Sequence, residues 1–203
     1  VNEVSRDEGI EIGERADANA DLRGLAAGLK PDRTIALVGL MGAGKTTVGR
    51  RLARALRVPF VDADAEIVSA AGQSVQEIFD QHGECAFRRG ERQVIARLLE
   101  GPVNVLATGG GAFVDAKTRA LMKERAITVW LRAPLDVLMK RVSKRDDRPL
   151  LKEDDPRAVM ERLLEERQRY YAEADLVVET GVGPHNTAVA AVLKALRAHL
   201  GAA

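Results

Sequence analysis

Cysteine is nearly absent from the 203 residues: Cys85 stands alone. One thiol makes neither an internal disulfide nor a cysteine-rich metal site, and the composition fits a reducing cytosol. Aromatic residues are also scarce, with one Trp, two Tyr and four Phe making 3% of the chain. The core is therefore expected to be aliphatic, built from Ala, Val, Leu and Ile. No uncharged apolar run approaches the roughly 18 residues that a membrane-spanning helix needs. The acidic stretch from Val1 to Asp21 lacks the apolar segment of a secretory signal, so a soluble, cytoplasmic protein is expected. Neither sign of charge dominates: 31 Lys and Arg face 30 Asp and Glu, a formal net charge of +1. That balance gives no global drive toward nucleic acid or an anionic membrane. Basic residues with a function must act as a local cluster.

What is present suits one compact domain, with 46% hydrophobic and 30% charged residues. Residues 1–30 stand apart, holding seven acids and four bases. They read as an acidic, flexible leader, with Leu22, Leu25, Ala26 and Leu29 hinting at a helical face that would suit a docking helix instead. Residues 31–203 form the domain proper. Buried strands are expected at Thr34–Val38, 59–62, 103–107, 127–131 and 176–178. Helices are expected at Lys45–Leu56, from the capping box Ser74-Val-Gln-Glu77 to about Leu99, and at 115–124, 135–143, 156–172 and 187–199. Asp155-Pro156 supplies an N-cap followed by proline at the first helical position. Short apolar strands alternating with helices give an α/β fold, three layers with a central five-stranded parallel sheet.

Gly39-Leu-Met-Gly-Ala-Gly-Lys-Thr46 fits G-x-x-x-x-G-K-[ST] without a mismatch, between a strand and an amphipathic helix. Its glycines let backbone N–H groups converge on an anion, and the following helix points its positive end there. Gly42, Ala43, Gly44, Lys45, Thr46 and Thr47 are thus expected to bind ATP, with Lys45 neutralising phosphate charge and Thr46 ligating Mg²⁺. The motif leaves open what receives the phosphate.

Other segments bear on that question. Asp62 and Asp64, read as alternating positions at a strand end, would share a face toward the phosphate site; two solvated acids is the alternative. Arg88, with Glu91 one helical turn on, can grip a carboxylate through two parallel hydrogen bonds, or else forms an exposed ion pair. Gly109-Gly-Gly111 follows the third strand at its carboxyl end, where open α/β sheets bind ligands, unless it is only a flexible turn. Thr108 beside it can reach the Mg²⁺ site. Residues 143–155 are polar and dense in charge. They read as a lid carrying Arg148, or as a solvated loop. Arg167, among charged neighbours, reads by itself as a surface residue.

In order and spacing these segments resemble the shikimate kinase family, within the nucleoside-monophosphate-kinase-like P-loop proteins, from about Arg33 to His199. The residues carrying the likeness are Gly39 to Arg50, Asp62-x-Asp64, Phe87-Arg88, Leu106 to Ala112, Arg148-Pro-Leu-Leu151 and Arg167. The resemblance implies a P-loop kinase fold and transfer of the ATP γ-phosphate to the 3-hydroxyl of shikimate, a step toward chorismate and the aromatic amino acids. It implies that Asp64 holds the acceptor hydroxyl, that Arg88 and Arg167 grip the substrate carboxylate, and that Gly109, Gly110 and Gly111 border the ring. Asp62 would meet Mg²⁺ through water, Arg148 would be the lid arginine acting with Lys45 and Asp64, and Arg141 would lie against the adenine. A monomer is expected.

Two departures stand out. Thr180-Gly-Val-Gly-Pro184 lacks the arginine that many relatives carry there, and the leader has no counterpart in compact members. Two competing readings are a gluconate-type sugar-acid kinase and a non-catalytic metabolite sensor. The first is disfavoured by Gly109–Gly111 together with Arg148-Pro-Leu-Leu151, the second by the presence of Lys45, Thr46 and Asp64.

Overall fold

The computed structural model describes residues 21–143 and 155–201. Its elements run β1 (Thr34–Val38), α1 (Lys45–Leu56), β2 (Phe60–Asp62), α2 (Ala63–Ala71), α3 (Val75–Glu100), β3 (Val105–Ala107), α4 (Ala116–Arg125), β4 (Ala126–Arg132), α5 (Leu135–Val142), α6 (Pro156–Tyr171), β5 (Leu176–Glu179) and α7 (His185–His199). The five strands form one parallel sheet in the order β2-β3-β1-β4-β5. Ala36 of β1 lies opposite Leu106 of β3 on one side and Thr128 of β4 on the other.

All five residues of β1 are buried, as a strand covered on both faces requires. Helices flank the sheet, with α1 packed against α7 and α3 against α4. The core is aliphatic as expected, with Trp130 and Phe113 among its few aromatics. Burying a side chain such as Leu37, Ile127 or Leu131 contributes about 1.5–3 kcal/mol each. Those contributions are what offset the ordering of so many short elements.

Three features depart from the sequence expectation. The leader expected over 1–30 does not extend that far: residues 21–26 are helical, and Leu22, Ala26 and Leu29 are buried in the main core. Their helical spacing buries one stripe, and the Arg197 guanidinium donates to the carbonyls of Leu25 and Ala27 at 3.0 and 2.7 Å. Residues 1–20 lie outside the described residues.

The second departure is α2, which was not expected. Asp62 caps it, accepting from the Asp64 N–H at 3.2 Å, and its apolar residues, most of them alanine, lie on several sides of the helix and gave little periodic signal.

The third is a break inside α3. Gly83 has φ 75° and ψ 170°, a backbone that glycine tolerates without steric cost. The segment after it starts a new helical axis. Beneath it Ile67, Ile78, Phe87 and Val94 form a second, smaller apolar cluster, separate from the main core. This cluster sets α2 and α3 as one unit beside the sheet.

Candidate active site

The strand order arranges the carboxyl edge of the sheet by chemistry. Central β1 leads into the phosphate loop, β3 and β2 on one side lead into Gly109–Gly111 and Asp62, and β4 and β5 lie on the other. Ligands of open parallel sheets sit along that edge.

In the phosphate loop Gly39, Gly42 and Gly44 have φ of 133°, 81° and 98°, which turns successive N–H groups toward one point. Gly44 is the N-cap of α1. No side chain caps this helix, and its first turn, from Lys45 through Thr46 and Thr47, holds no acid. The terminal amides, with the positive end of the helix dipole, are thereby left to an anion. The Lys45 ammonium folds back on the loop, donating to the carbonyls of Gly39 at 2.7 Å and Leu40 at 3.1 Å. The Thr46 hydroxyl donates to Asp62 Oδ2 at 3.0 Å. A hydroxyl paired with a carboxylate beside a phosphate loop is a hard oxygen set that fits Mg²⁺, which commonly takes one or two protein oxygens and completes its shell with phosphate and water.

Asp62 and Asp64 are not alternating positions of one strand. The Asp64 backbone N–H donates to Asp62 Oδ1 at 3.2 Å, while their carboxylates meet different partners, Thr46 for Asp62 and the Gly109 region for Asp64. Asp62 ends β2, and Asp64 lies in the first turn of α2. The strand-to-helix switch, with Asp62 as cap, turns Asp64 toward the glycine run. A methyl group added at Gly109 would lie 2.7 Å from Asp64 Oδ1 and 3.1 Å from Glu91 Oε1.

The same glycine run meets both arginines. A methyl at Gly111 would collide with the Arg88 guanidinium, and one at Gly110 would stand 3.8 Å from Arg167 Nη1, 3.6 Å from Met41 N and 3.8 Å from Gly39 O. Gly110 thus bridges the phosphate loop and Arg167. None of the three has a positive φ, so at Gly109 and Gly111 glycine supplies close approach rather than unusual torsion.

Arg88 Nη1 donates to Glu91 Oε2 at 2.6 Å, and Nη2 lies 3.3 Å from Glu84 Oε1. Burial opposes the charged Arg88, yet Glu91 and Glu84 outweigh it and hold the guanidinium above its ordinary pKa. Glu91 is completely buried. Burial pushes its carboxyl upward although Arg88 pulls the other way, and its Oε1 has no hydrogen-bond partner among the described residues to favour the charged form.

On the β4–β5 side, Arg141 links two loops. Its Nη1 donates to the carbonyls of Gly42 and Ala43 at 3.3 and 3.2 Å, and its Nη2 donates to Gly181 at 2.6 Å. A cavity opens there, lined by Ala43, Val48, Arg141, Thr180, Pro184 and His185. Burial lowers the pKa of Arg141. It also lowers that of His185, helped by Arg51 and Arg141. His185 escaped the sequence reading, which began the last helix at Thr187. Pro184 just before it was the available signal, since its fixed φ suits a helix entrance.

The Thr108 hydroxyl is buried and donates to the carbonyl of Leu37 at 3.0 Å, so it ties β3 to β1 instead of reaching the Mg²⁺ site. Arg148 and the lid lie outside the described residues, which stop at 143 and resume at 155.

The family model described as "Shikimate kinase" matches residues 41–197. A shikimate kinase of Caulobacter vibrioides is 59% identical over 165 residues, 81% of this chain and 82% of the relative. The chain belongs to the shikimate kinase family. A family member from Bradyrhizobium diazoefficiens is 53% identical over 168 residues, 83% of this chain and 81% of the relative. Among solved structures, shikimate kinase from Acinetobacter baumannii in complex with shikimate superposes with a TM-score of 0.76 at 39% identity, covering 83% of this chain and 93% of that one. A gluconokinase from Sinorhizobium meliloti matches with a TM-score of 0.56 at 20% identity, over 83% of this chain and 93% of that one, a likeness of fold alone.

Proposed function

We propose the following division of labour for the shikimate kinase reaction, transfer of the γ-phosphate of ATP to the 3-hydroxyl of shikimate. The N–H groups of Gly42 to Thr47 and the Lys45 ammonium hold the phosphates, with Lys45 exchanging its loop carbonyls for phosphate oxygens. Thr46 would ligate Mg²⁺ directly and Asp62 through water; the ion, when bound, supplies positive charge against the phosphate oxygens. Arg141 and His185 flank the nucleobase in the β4–β5 cavity. That cavity supports a base contact even though the loop 180–184 lacks an arginine. The part given to Arg148 rests on the sequence.

On the acceptor side, Asp64 accepts the hydrogen bond of the reacting hydroxyl and takes its proton as the phosphoryl group arrives. Arg88 and Arg167 clamp the carboxylate, and Gly109, Gly110 and Gly111 border the ring, with the Gly110 N–H directed at it. Glu91 holds Arg88 rather than touching the reacting atoms. Because the phosphoryl transition state is loose, most of the acceleration comes from placement and charge neutralisation. The observation carrying this reading is the convergence of Asp64, Arg88 and Arg167 on three consecutive glycines, one of which also abuts the phosphate loop.

A monomer acting in the cytosol completes the proposal. Val68, Val177 and Val182 are the only large hydrophobic residues exposed among the described residues, and they form no run; Cys85 is an exposed free thiol. The experiment that tests the assignment is substrate-resolved kinetics. Arg88→Lys and Arg167→Lys should each raise KM for shikimate with little change in KM for ATP. A rise confined to ATP would refute the clamp.

A further inference from the structure

Tyr171 is the last residue of α6, and only 1% of it is exposed. Its ring packs beside Trp130, centroids 5.9 Å apart, so the main core fixes where its hydroxyl sits. That hydroxyl donates to the carbonyl of Gly110 at 2.5 Å. Arg167 lies one helical turn earlier on α6, and its guanidinium faces the same hydroxyl. A tyrosine hydroxyl has one proton to give and lone pairs to offer. Here the proton goes to the glycine run, and the lone pairs face the arginine.

We infer that Tyr171 is a positioning residue that locks the spacing between the Gly110 peptide and the Arg167 guanidinium, and so sets the fit for the substrate carboxylate and ring. The inference deepens the proposed function and rests on it. Holding the Gly110 carbonyl fixes the plane of the Gly110–Gly111 peptide, which orients the Gly111 N–H directly and restricts the rotation about the Gly110 Cα that would move the Gly110 N–H. A guanidinium facing an immobile oxygen loses less freedom on gripping a ligand. Tyr171 therefore acts through two other groups without meeting the reacting atoms. Burial raises its pKa to about 12, so the proton for Gly110 is in place at every pH at which the enzyme would be assayed.

The test is Tyr171→Phe, which keeps the ring against Trp130 and removes only the hydroxyl. A lost hydrogen bond of ordinary strength corresponds to roughly tenfold in a binding constant. KM for shikimate should therefore rise about tenfold, with KM for ATP unchanged and kcat within about twofold. Combined with Arg167→Lys, the losses should fall short of the product of the single effects, because both act on one contact. If the wild type phosphorylates shikimate but Tyr171→Phe leaves its KM unchanged, or raises both KM values together, the inference fails while the functional reading stands. If the wild type does not phosphorylate shikimate, the functional reading fails and takes the inference with it. Should the Phe variant not fold, fluorinated tyrosine placed at 171 preserves the shape and lowers the pH at which the hydroxyl ionises. With enough fluorine to bring ionisation into the assayed range, KM for shikimate should rise with pH there, where the wild type shows no such rise, with KM for ATP following the wild-type profile. Coincident profiles for shikimate would overturn the inference.

Discussion

Gly111 is a site where one methyl group separates structure from function. Alanine there is compatible with the backbone but collides with the Arg88 guanidinium. Because that group ends a flexible side chain, it will shift rather than unfold the protein. Gly111→Ala should raise KM for shikimate at least tenfold while the melting temperature and KM for ATP stay near wild type, as steady-state kinetics and thermal melting will report. Asp64 tests the chemistry itself. Asp64→Asn keeps the shape but cannot take a proton, so kcat should fall by about two to four orders of magnitude. Nucleotide affinity, measured by titration calorimetry, should be retained because the phosphate loop is untouched. Turnover at the wild-type rate would remove Asp64 from that role. Residue identity was readable in the sequence here, since the phosphate-loop spacing and the Asp, Arg and Gly segments carry their chemistry in residue type. Geometry was less readable. Asp62 and Asp64 were expected on one strand face, and only the cap that turns β2 into α2 brings Asp64 to Gly109.

One helix cap and one break within a helix shape the elements beside the glycine run. Asp115 caps α4 through the N–H and hydroxyl of Thr118, both at 2.8 Å, and pairs with Arg92 at 3.2 Å. Burial opposes its ionisation, but the Thr118 hydrogen bonds and Arg92 outweigh it and hold the carboxyl below its ordinary value of 3.8. A lowered carboxyl stabilises the fold above the unfolded value, and that contribution is lost as pH falls through the folded one. Asp115→Ala should cost about 1–2 kcal/mol near neutral pH. The difference in stability from wild type, followed by chemical denaturation, should shrink below pH 3.8. The break at Gly83 was invisible to periodicity, because helical spacing continues on either side of it. With φ at 75°, Gly83→Ala should destabilise the α2–α3 unit and raise KM for shikimate, leaving KM for ATP alone. Equal melting temperatures and equal kinetics would contradict that role.

Across the described residues, strand order separates two sides: the cavity beside Arg141, proposed for the nucleobase, lies toward β4 and β5, and the glycine run proposed for the acceptor lies toward β3 and β2, with the phosphate loop between them. Alternation of short apolar strands with helices made this α/β plan legible, because the elements other than α2 declare their own period. The limit of the folded unit was less so. Leu22, Leu25, Ala26 and Leu29 make too short a stripe, amid acids, to distinguish a packed turn from a solvated leader until the core shows Leu22, Ala26 and Leu29 buried. Leu29→Ala should accordingly cost about 2–5 kcal/mol, as any buried leucine does, and a loss near zero would return residues 21–30 to the solvent. The most direct measurement on the molecule is ADP release by the wild-type chain with Mg²⁺ and ATP, offered shikimate, gluconate or nucleoside monophosphates side by side. Shikimate should drive turnover far above the others, with the phosphate gained on its 3-hydroxyl. Faster release with gluconate or a nucleoside monophosphate, or none with shikimate, would contradict a site built from Asp64, Arg88 and Arg167 around Gly109–Gly111.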